Sequence, residues 1–302
     1  DPVTVLYEAY FPGESPTFVD SKGDVLATAS PQQFDERPIV HATFLPDSIL
    51  IPLSATSEIE DFIAFTISAD GQQVLIDGEY LPQAITLTDQ AGNTVEINQP
   101  VRRVISSYGP TTAFIYSVDA EDRMVSASYL GARDPLGASV MANIDPRFPD
   151  IMGDDYFSQQ DFNLEEAATL NPDLIITSAR SAWLDSVDQL GLQVFLFDAE
   201  TPERLREAML LMGQLFGPHA AAQGRAWVAY FDQIVEELGA QTAEISQEER
   251  VRVLFTGTNP LRVASGEMYQ TFIIEASGGI SVTSELGGYW NDVNLEQVLI
   301  WD

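Results

Sequence analysis

The stretch Asn163-Leu-Glu-Glu-Ala-Ala-Thr-Leu-Asn171 returns 131 residues further on as Asn294-Leu-Glu-Gln-Val-Leu-Ile-Trp-Asp302. Each copy opens as a capping box: Asn163 or Asn294 accepts from an amide of the first turn, and Glu166 or Gln297 reaches back. Helix capping uses up those four residues but leaves Glu165 and Glu296. Each sits at the second helical position, where a carboxylate favours the helix dipole and needs no partner. A paired set of such acids also suits two-point docking to a surface that carries Arg. The chain has few cations, so Arg133 and Arg180 stand out at predicted strand exits. There a guanidinium can clamp a carboxylate or the anionic oxygens of a chelate, or simply pair with a neighbouring acid. Tyr108, Tyr129, Trp183, Tyr289 and Trp290 offer flat apolar faces for a macrocycle or aromatic chelator, or for packing at a domain edge. Asn259 adds a polar anchor in the turn Gly257-Thr-Asn-Pro260.

No catalytic constellation assembles around these residues. The chain has no Cys, which removes thiolate metal sites, disulfide scaffolds and Cys nucleophiles. Its two histidines, His41 and His219, lie far from any nucleophile elbow, and neither comes with other ligands at metal-binding spacing. Gly153-Asp-Asp-Tyr-Phe-Ser-Gln-Gln-Asp161 is acidic but lacks EF-hand spacing. No Gly-x-Gly-x-x-Gly or Walker loop is present. The expectation is a non-enzyme that uses no cofactor and no directly bound metal.

These residues need elements to position them. From residue 83 onward, apolar runs alternate with helical stretches, the pattern of a parallel α/β sheet. A hairpin, Ile85–Thr88 with Thr94–Ile97, opens the unit. Predicted strands follow at Val104-Ile105, Met124–Ser126, Leu174–Ile176 and Val194–Phe197. Helices are predicted at Thr111–Val118, Leu164–Leu170, Trp183–Leu190 and Pro202–Phe216. Gly217-Pro218 stops one helix and starts another that runs to about Ala243; at 1.5 Å per residue, roughly 25 residues make a rod of about 37 Å, long enough to join two lobes. The α/β pattern then restarts with a strand at Val251–Phe255 and a helix at Tyr269–Ala276. In open α/β sheets ligands gather beyond the carboxyl ends of strands. The loops that qualify are Ser106–Pro110, Ser128–Arg133 and Ser178–Trp183, with Thr256–Asn259 and Gly287–Trp290 in the later part.

Residues 1–82 read differently, as a small β-rich module. Val3–Tyr7, Ile39–Phe44 and Ile49–Leu53 are short runs broken by Pro, Gly and Asp. Phe62–Ser68 and Gln72–Ile76 around Ala69-Asp-Gly71 carry a hairpin signal. The expected division is therefore residues 1–82 as an accessory module, 83–217 as a first α/β lobe, 218–245 as a backbone helix, and 246–302 as the start of a second α/β lobe.

The formal charge of −32, from 46 acidic against 14 basic residues, excludes nucleic-acid binding through a basic surface. The chain is 302 residues long and 45% hydrophobic, which is enough for a real core. No apolar run approaches the roughly 18–20 residues needed to span a bilayer. No signal pattern is present, and a start at Asp1 reads as that of a mature or trimmed protein. Lys22 is the sole lysine among the 14 basic residues. That bias fits a surface adapted to high salt, and equally GC-rich codon usage with ordinary acidity.

From about Ala84 to the end, the order and spacing of several segments resemble the helical-backbone class of substrate-binding proteins of ABC importers, those for iron–siderophore, haem and cobalamin. The segments are Ile85–Ile97, Val101–Ser106, Asn163–Ile176, Leu190–Phe195, Phe272–Gly279 and Val293–Asp302. No one of them is a strong motif alone. The resemblance implies two α/β lobes joined by a rigid helix, with an iron chelate, haem or corrinoid held between them. It implies delivery to a membrane permease, with Glu165 and Glu296 at the positions where one Glu per lobe docks to permease Arg. It implies an extracytoplasmic place, periplasmic or at the cell surface, with any membrane contact made through the permease or a lipid anchor. It also implies further elements after Asp302. An alternative from a different class is a sensory or adhesive surface protein that reuses the fold without transport.

Overall fold

A computed structural model describes residues 17–19, 25–28, 61, 64–128, 141–152 and 157–301. The runs at 3–7, 39–44 and 49–53, together with Tyr129, Arg133 and His41, lie outside the described residues. The chain divides into two compact units, Asp1–Gln83 and Ala84–Asp302.

In the first unit β1 (Thr17–Val19) pairs antiparallel with β2 (Val25–Thr28). The stretch 62–76, expected as a hairpin, is instead helical where it is described, from residue 64 on. Residues 64–67 are helical, and α1 (Ala69–Asp77) follows. The reason is local. The Ser68 side chain accepts from the Gly71 amide at 3.2 Å, so Ser68 acts as an N-cap, and Asp70 falls in the first turn, where it favours the helix dipole. Gly71 serves close approach rather than a turn, since a Cβ there would lie 2.1 Å from the Phe65 carbonyl oxygen.

The second unit opens with the expected hairpin, β3 (Ala84–Thr88) antiparallel to β4 (Thr94–Asn98). Its turn places Gly92 at φ 90°, a conformation that suits glycine. Next come β5 (Val104–Ser106), α2 (Gly109–Ser117), β6 (Met124–Ala127), the short helices α3 (Phe148–Ile151) and α4 (Leu164–Thr169), β7 (Leu174–Ser178) and β8 (Val194–Phe197). Strands β5 to β8 form one parallel sheet in the order β6-β5-β7-β8. All of β5 and β7 is buried, as expected of parallel strands covered on both faces. Side chains alternate between two apolar clusters. Val104, Leu174, Ile176, Phe195 and Phe197 enter the larger one, while Ile105 and Ile175 enter the smaller one beside Phe162, Ala167 and Trp183.

Helix α5 (Pro202–Leu215), capped by Thr201, covers the larger cluster with Met209 and Met212 fully buried. After the Gly217 break, α6 (Pro218–Thr242) runs 25 residues. Trp227 on α6 stacks on Phe231 at 5.3 Å. Phe231 meets Phe272 at 6.2 Å, and Phe272 meets Tyr269 at 5.9 Å. These rings tie the long helix to α7 (Tyr269–Ala276) in the later part of the chain.

That part is a smaller α/β arrangement. β9 (Arg252–Val253) pairs parallel with β11 (Ile280–Ser281), and β10 (Arg262–Ala264) pairs antiparallel with β12 (Trp290–Asp292). It ends in α8 (Leu295–Ile300). The α/β class read from the sequence is the one observed, with the parallel sheet expected in the first part. The part after the long helix combines the parallel pair β9–β11 with the antiparallel pair β10–β12.

Candidate functional site

The order β6-β5-β7-β8 reverses between β5 and β7, and in open α/β sheets the carboxyl ends of strands at such a switch point are where ligands gather. A buried hydroxyl network holds those ends in place. Ser107 Oγ donates to Thr177 Oγ1 at 2.7 Å, Thr177 Oγ1 is 2.7 Å from Ser181 Oγ, and Thr112 Oγ1 donates to Ser106 Oγ at 2.8 Å. Every member has a partner, so the cost of burying a hydroxyl is offset and the strand exits are fixed.

Tyr108 leaves β5, Arg180 leaves β7, and Asp198 and Glu200 leave β8. The four meet. Arg180 Nη1 donates to Asp198 Oδ1 at 2.9 Å, and its Nη2 donates to Glu200 Oε1. The far side of this cluster comes from the later part of the chain. The Tyr289 ring lies 4.1 Å from the Arg180 guanidinium carbon, and its hydroxyl donates to Asp198 Oδ2 at 3.2 Å. Arg204, from the first turn of α5, donates through Nε to the Asp198 carbonyl at 2.7 Å and through Nη2 to the Gln90 carbonyl at 2.5 Å. Gln90 returns the contact, its Oε1 accepting from the Asp198 amide at 2.9 Å. The β3–β4 turn thus braces the exit of β8.

The electrostatics follow from that packing. Burial pushes the Tyr108 hydroxyl up to about 12, helped by the Glu200 carboxylate and opposed by Arg180. Burial alone would disfavour the Arg180 charge, but Tyr289 and Glu200 outweigh it and hold the guanidinium more firmly protonated than usual. Two guanidinium groups here face two carboxylates, so Arg180, Arg204, Asp198 and Glu200 sum to 2 − 2 = 0. The arrangement can present tyrosine hydroxyls and a satisfied ion-pair network to a ligand. It contains no nucleophile set against a base.

Tyr108, Arg180 and Tyr289, proposed from sequence, are brought together here. Trp183 is not available as a flat open face. It is buried, stacks on Phe162 at 4.0 Å, and donates Nε1–H to the Ser158 carbonyl at 2.9 Å, so it is a core residue. Asn259 is exposed, and its Oδ1 accepts from the Leu261 amide at 3.0 Å, closing its own turn. Trp290 packs over Gly257 and lies 6.3 Å from the Phe255 ring, within the later part of the chain. Asp198 and Glu200 went unread. The signal was available, because Phe197-Asp198-Ala199-Glu200 is a strand exit like the others. The open groove of about 410 Å³ lined by Ile245, Val251, Val253, Ile273 and Gly279 includes none of these residues.

At both repeated helix starts the Asn acts as the N-cap. Asn163 Oδ1 accepts from the Glu166 amide at 3.1 Å, and Asn294 Oδ1 accepts from the Gln297 amide at 2.8 Å. Glu165 and Glu296 are exposed. Among the described residues no cluster of three His, Cys, Asp or Glu could hold a metal, and no helix is long and apolar enough to cross a membrane.

The sequence pattern of the family described as "Periplasmic binding protein" matches residues 104–302. The vitamin B12-binding protein of Yersinia pestis (strain Pestoides F) is 27% identical over 209 residues, 67% of this chain and 67% of that protein. The fold is similar to that of the molybdate periplasmic binding protein MolA of Haemophilus influenzae, with a TM-score of 0.63 and 18% identity over 72% of this chain and 71% of that one. It is also similar to the heme binding protein HmuT (TM-score 0.55, 18% identity, 72% and 69% covered) and to the periplasmic vitamin B12 binding protein BtuF of Vibrio cholerae (TM-score 0.52, 19% identity, 67% and 74% covered).

Proposed function

Because the chain belongs to the periplasmic binding protein family, we propose that it is the extracytoplasmic substrate-binding component of an ABC importer. On this reading it captures an iron chelate, haem or corrinoid between its two lobes and delivers it to a membrane permease. Its work is binding for transport, not catalysis.

The observation that carries this reading is the convergence of Tyr108 and Arg180, from the switch point of the parallel sheet, with Tyr289 from across the seam. A ligand seated there touches both lobes at once, as capture requires. The 25-residue α6 favours modest lobe movement over wide hinging, since a continuous hydrogen-bonded helix resists bending. Glu165 and Glu296 then serve as the docking acids, one per lobe. Both are exposed, and neither has its carboxylate engaged in helix capping.

Two measurements test this. Titration with cobalamin, haem and ferric siderophores, followed by fluorescence quenching, gives saturable binding of at least one; silence from all of them refutes chelate capture. Charge reversal, Glu165→Arg with Glu296→Arg, leaves ligand binding intact and abolishes uptake in a transport assay. Undiminished uptake by that variant refutes the docking role, whereas ligand binding without uptake even by the wild type favours a sensory or adhesive protein.

A further inference from the structure

The charge of the ligand is written into the same seam. This inference rests on the chelate-binding reading above and narrows it. Arg180, whose geometry would otherwise suit an anionic ligand, is already engaged on two edges: Nη1 by Asp198 at 2.9 Å, Nη2 by Glu200. One of its faces is covered by the Tyr289 ring at 4.1 Å. Arg204 is likewise engaged, by Asp198 and by the Gln90 carbonyl. An anion entering here must displace a carboxylate from Arg180, and the displaced carboxylate is left partly desolvated beside the newcomer. The surrounding field acts in the same direction. A chain of net charge −32 repels anions over about 10 Å at 0.1 M salt.

We propose that the seam accepts an organic chelate or macrocycle of zero or positive net charge and discriminates against polyanionic ones. Ring faces and hydroxyls supply the contacts: Tyr108 from the sheet, Tyr289 from across the seam. Asp198 and Glu200 supply the discrimination, because both keep their pairing with Arg180 around a ligand that does not compete for it. The burial of the Tyr108 hydroxyl beside Glu200 fits a site that disfavours added negative charge.

The test is equilibrium titration of the whole chain with four probes: cyanocobalamin, neutral overall; ferrioxamine B, a singly cationic ferric hydroxamate; hemin, with two ionised propionates; and ferric enterobactin, a trianionic catecholate. At low ionic strength the tighter of the first two should bind about tenfold or more tightly than either anion, and the gap should narrow in 0.5 M NaCl. Glu200→Gln, with its fold checked by circular dichroism, should narrow the ratio further by freeing one edge of Arg180. If either anion binds as tightly as the neutral and cationic probes, the charge inference fails while chelate capture stands. A preference unmoved by both salt and Glu200→Gln also overturns it. Binding of none of the four removes chelate capture itself.

Discussion

Asp89 joins a surface turn to the buried sheet with a single carboxylate. Its Oδ1 accepts from the amides of Ala91 at 3.0 Å and Asn93 at 2.8 Å, while Oδ2 accepts from Asn93 Nδ2 at 3.1 Å and from the Leu196 amide at 3.3 Å. The residue is 4% exposed, so removing the carboxylate strands donors away from water. Asp89→Ala should cost about 2–4 kcal/mol, read as a lower urea midpoint at unchanged slope. A loss below about 0.5 kcal/mol would mean that the turn does not brace β8. Asp145 carries the clearest acid sensitivity. Burial raises its pKa, but side-chain and backbone hydrogen bonds from Arg147, and one from Tyr116, together outweigh burial and hold the carboxyl below its ordinary 3.8. A depressed carboxyl contributes stability above its unfolded pKa and loses it as pH falls through the folded value. The wild type should therefore lose more stability than Asp145→Asn on titration from pH 5 to pH 2. Parallel curves for the two proteins would show that this carboxylate adds nothing.

Among the elements, the antiparallel pair α5 and α6 depends on two glycines. A Cβ on Gly213 would lie 2.5 Å from the Ala220 carbonyl oxygen, and one on Gly224 would lie 2.5 Å from that of Met209. Alanine in a helix interior normally gains up to about 1 kcal/mol over glycine. Here the neighbour is backbone and cannot turn aside, so overpacking of about 1–3 kcal/mol wins. Gly224→Ala should lower the melting temperature, where propensity alone predicts a rise. The same contrast between local signal and contact explains what the sequence made legible. Strands β5, β7 and β8 could be read because parallel strands buried on both faces leave continuous apolar runs, and α6 because Gly217-Pro218 marks its start. The stretch 62–76 could not, because Asp70-Gly71 serves a hairpin turn and a capped helix start equally well, and Ser68 decides between them through a contact three residues away. At the site, Tyr108 and Arg180 could be placed from strand-exit positions, and Tyr289 from the Gly287-Gly288 turn that leads into β12. Trp183 could not, since only the fold shows that Ser158 takes its N–H. Asp198 and Glu200 were lost against a background of 46 acids, in which no one carboxylate draws notice.

For the whole molecule, the dominant fact is a net charge of −32 on 302 residues. Like charges at that density favour expansion, because the unfolded chain spreads them further apart. Ion pairing offsets only part of this. Fourteen basic residues can neutralise at most 14 of 46 acids, and exposed pairs contribute about 0–1 kcal/mol each. Screening is then the larger lever. The range of electrostatic repulsion falls from about 10 Å at 0.1 M salt to about 3 Å at 1 M. Neutral salt should therefore stabilise this protein, and the melting temperature should rise steadily between 0.05 and 1 M NaCl. Potassium chloride should act like sodium chloride, because screening depends on ionic strength rather than on a specific cation site. A protein in which surface ion pairs dominated would move the other way, since salt weakens attraction as well as repulsion. A flat or falling melting temperature over that range would therefore show that the acidic surface is not adapted to salt, and that its charge excess is carried at no thermodynamic cost.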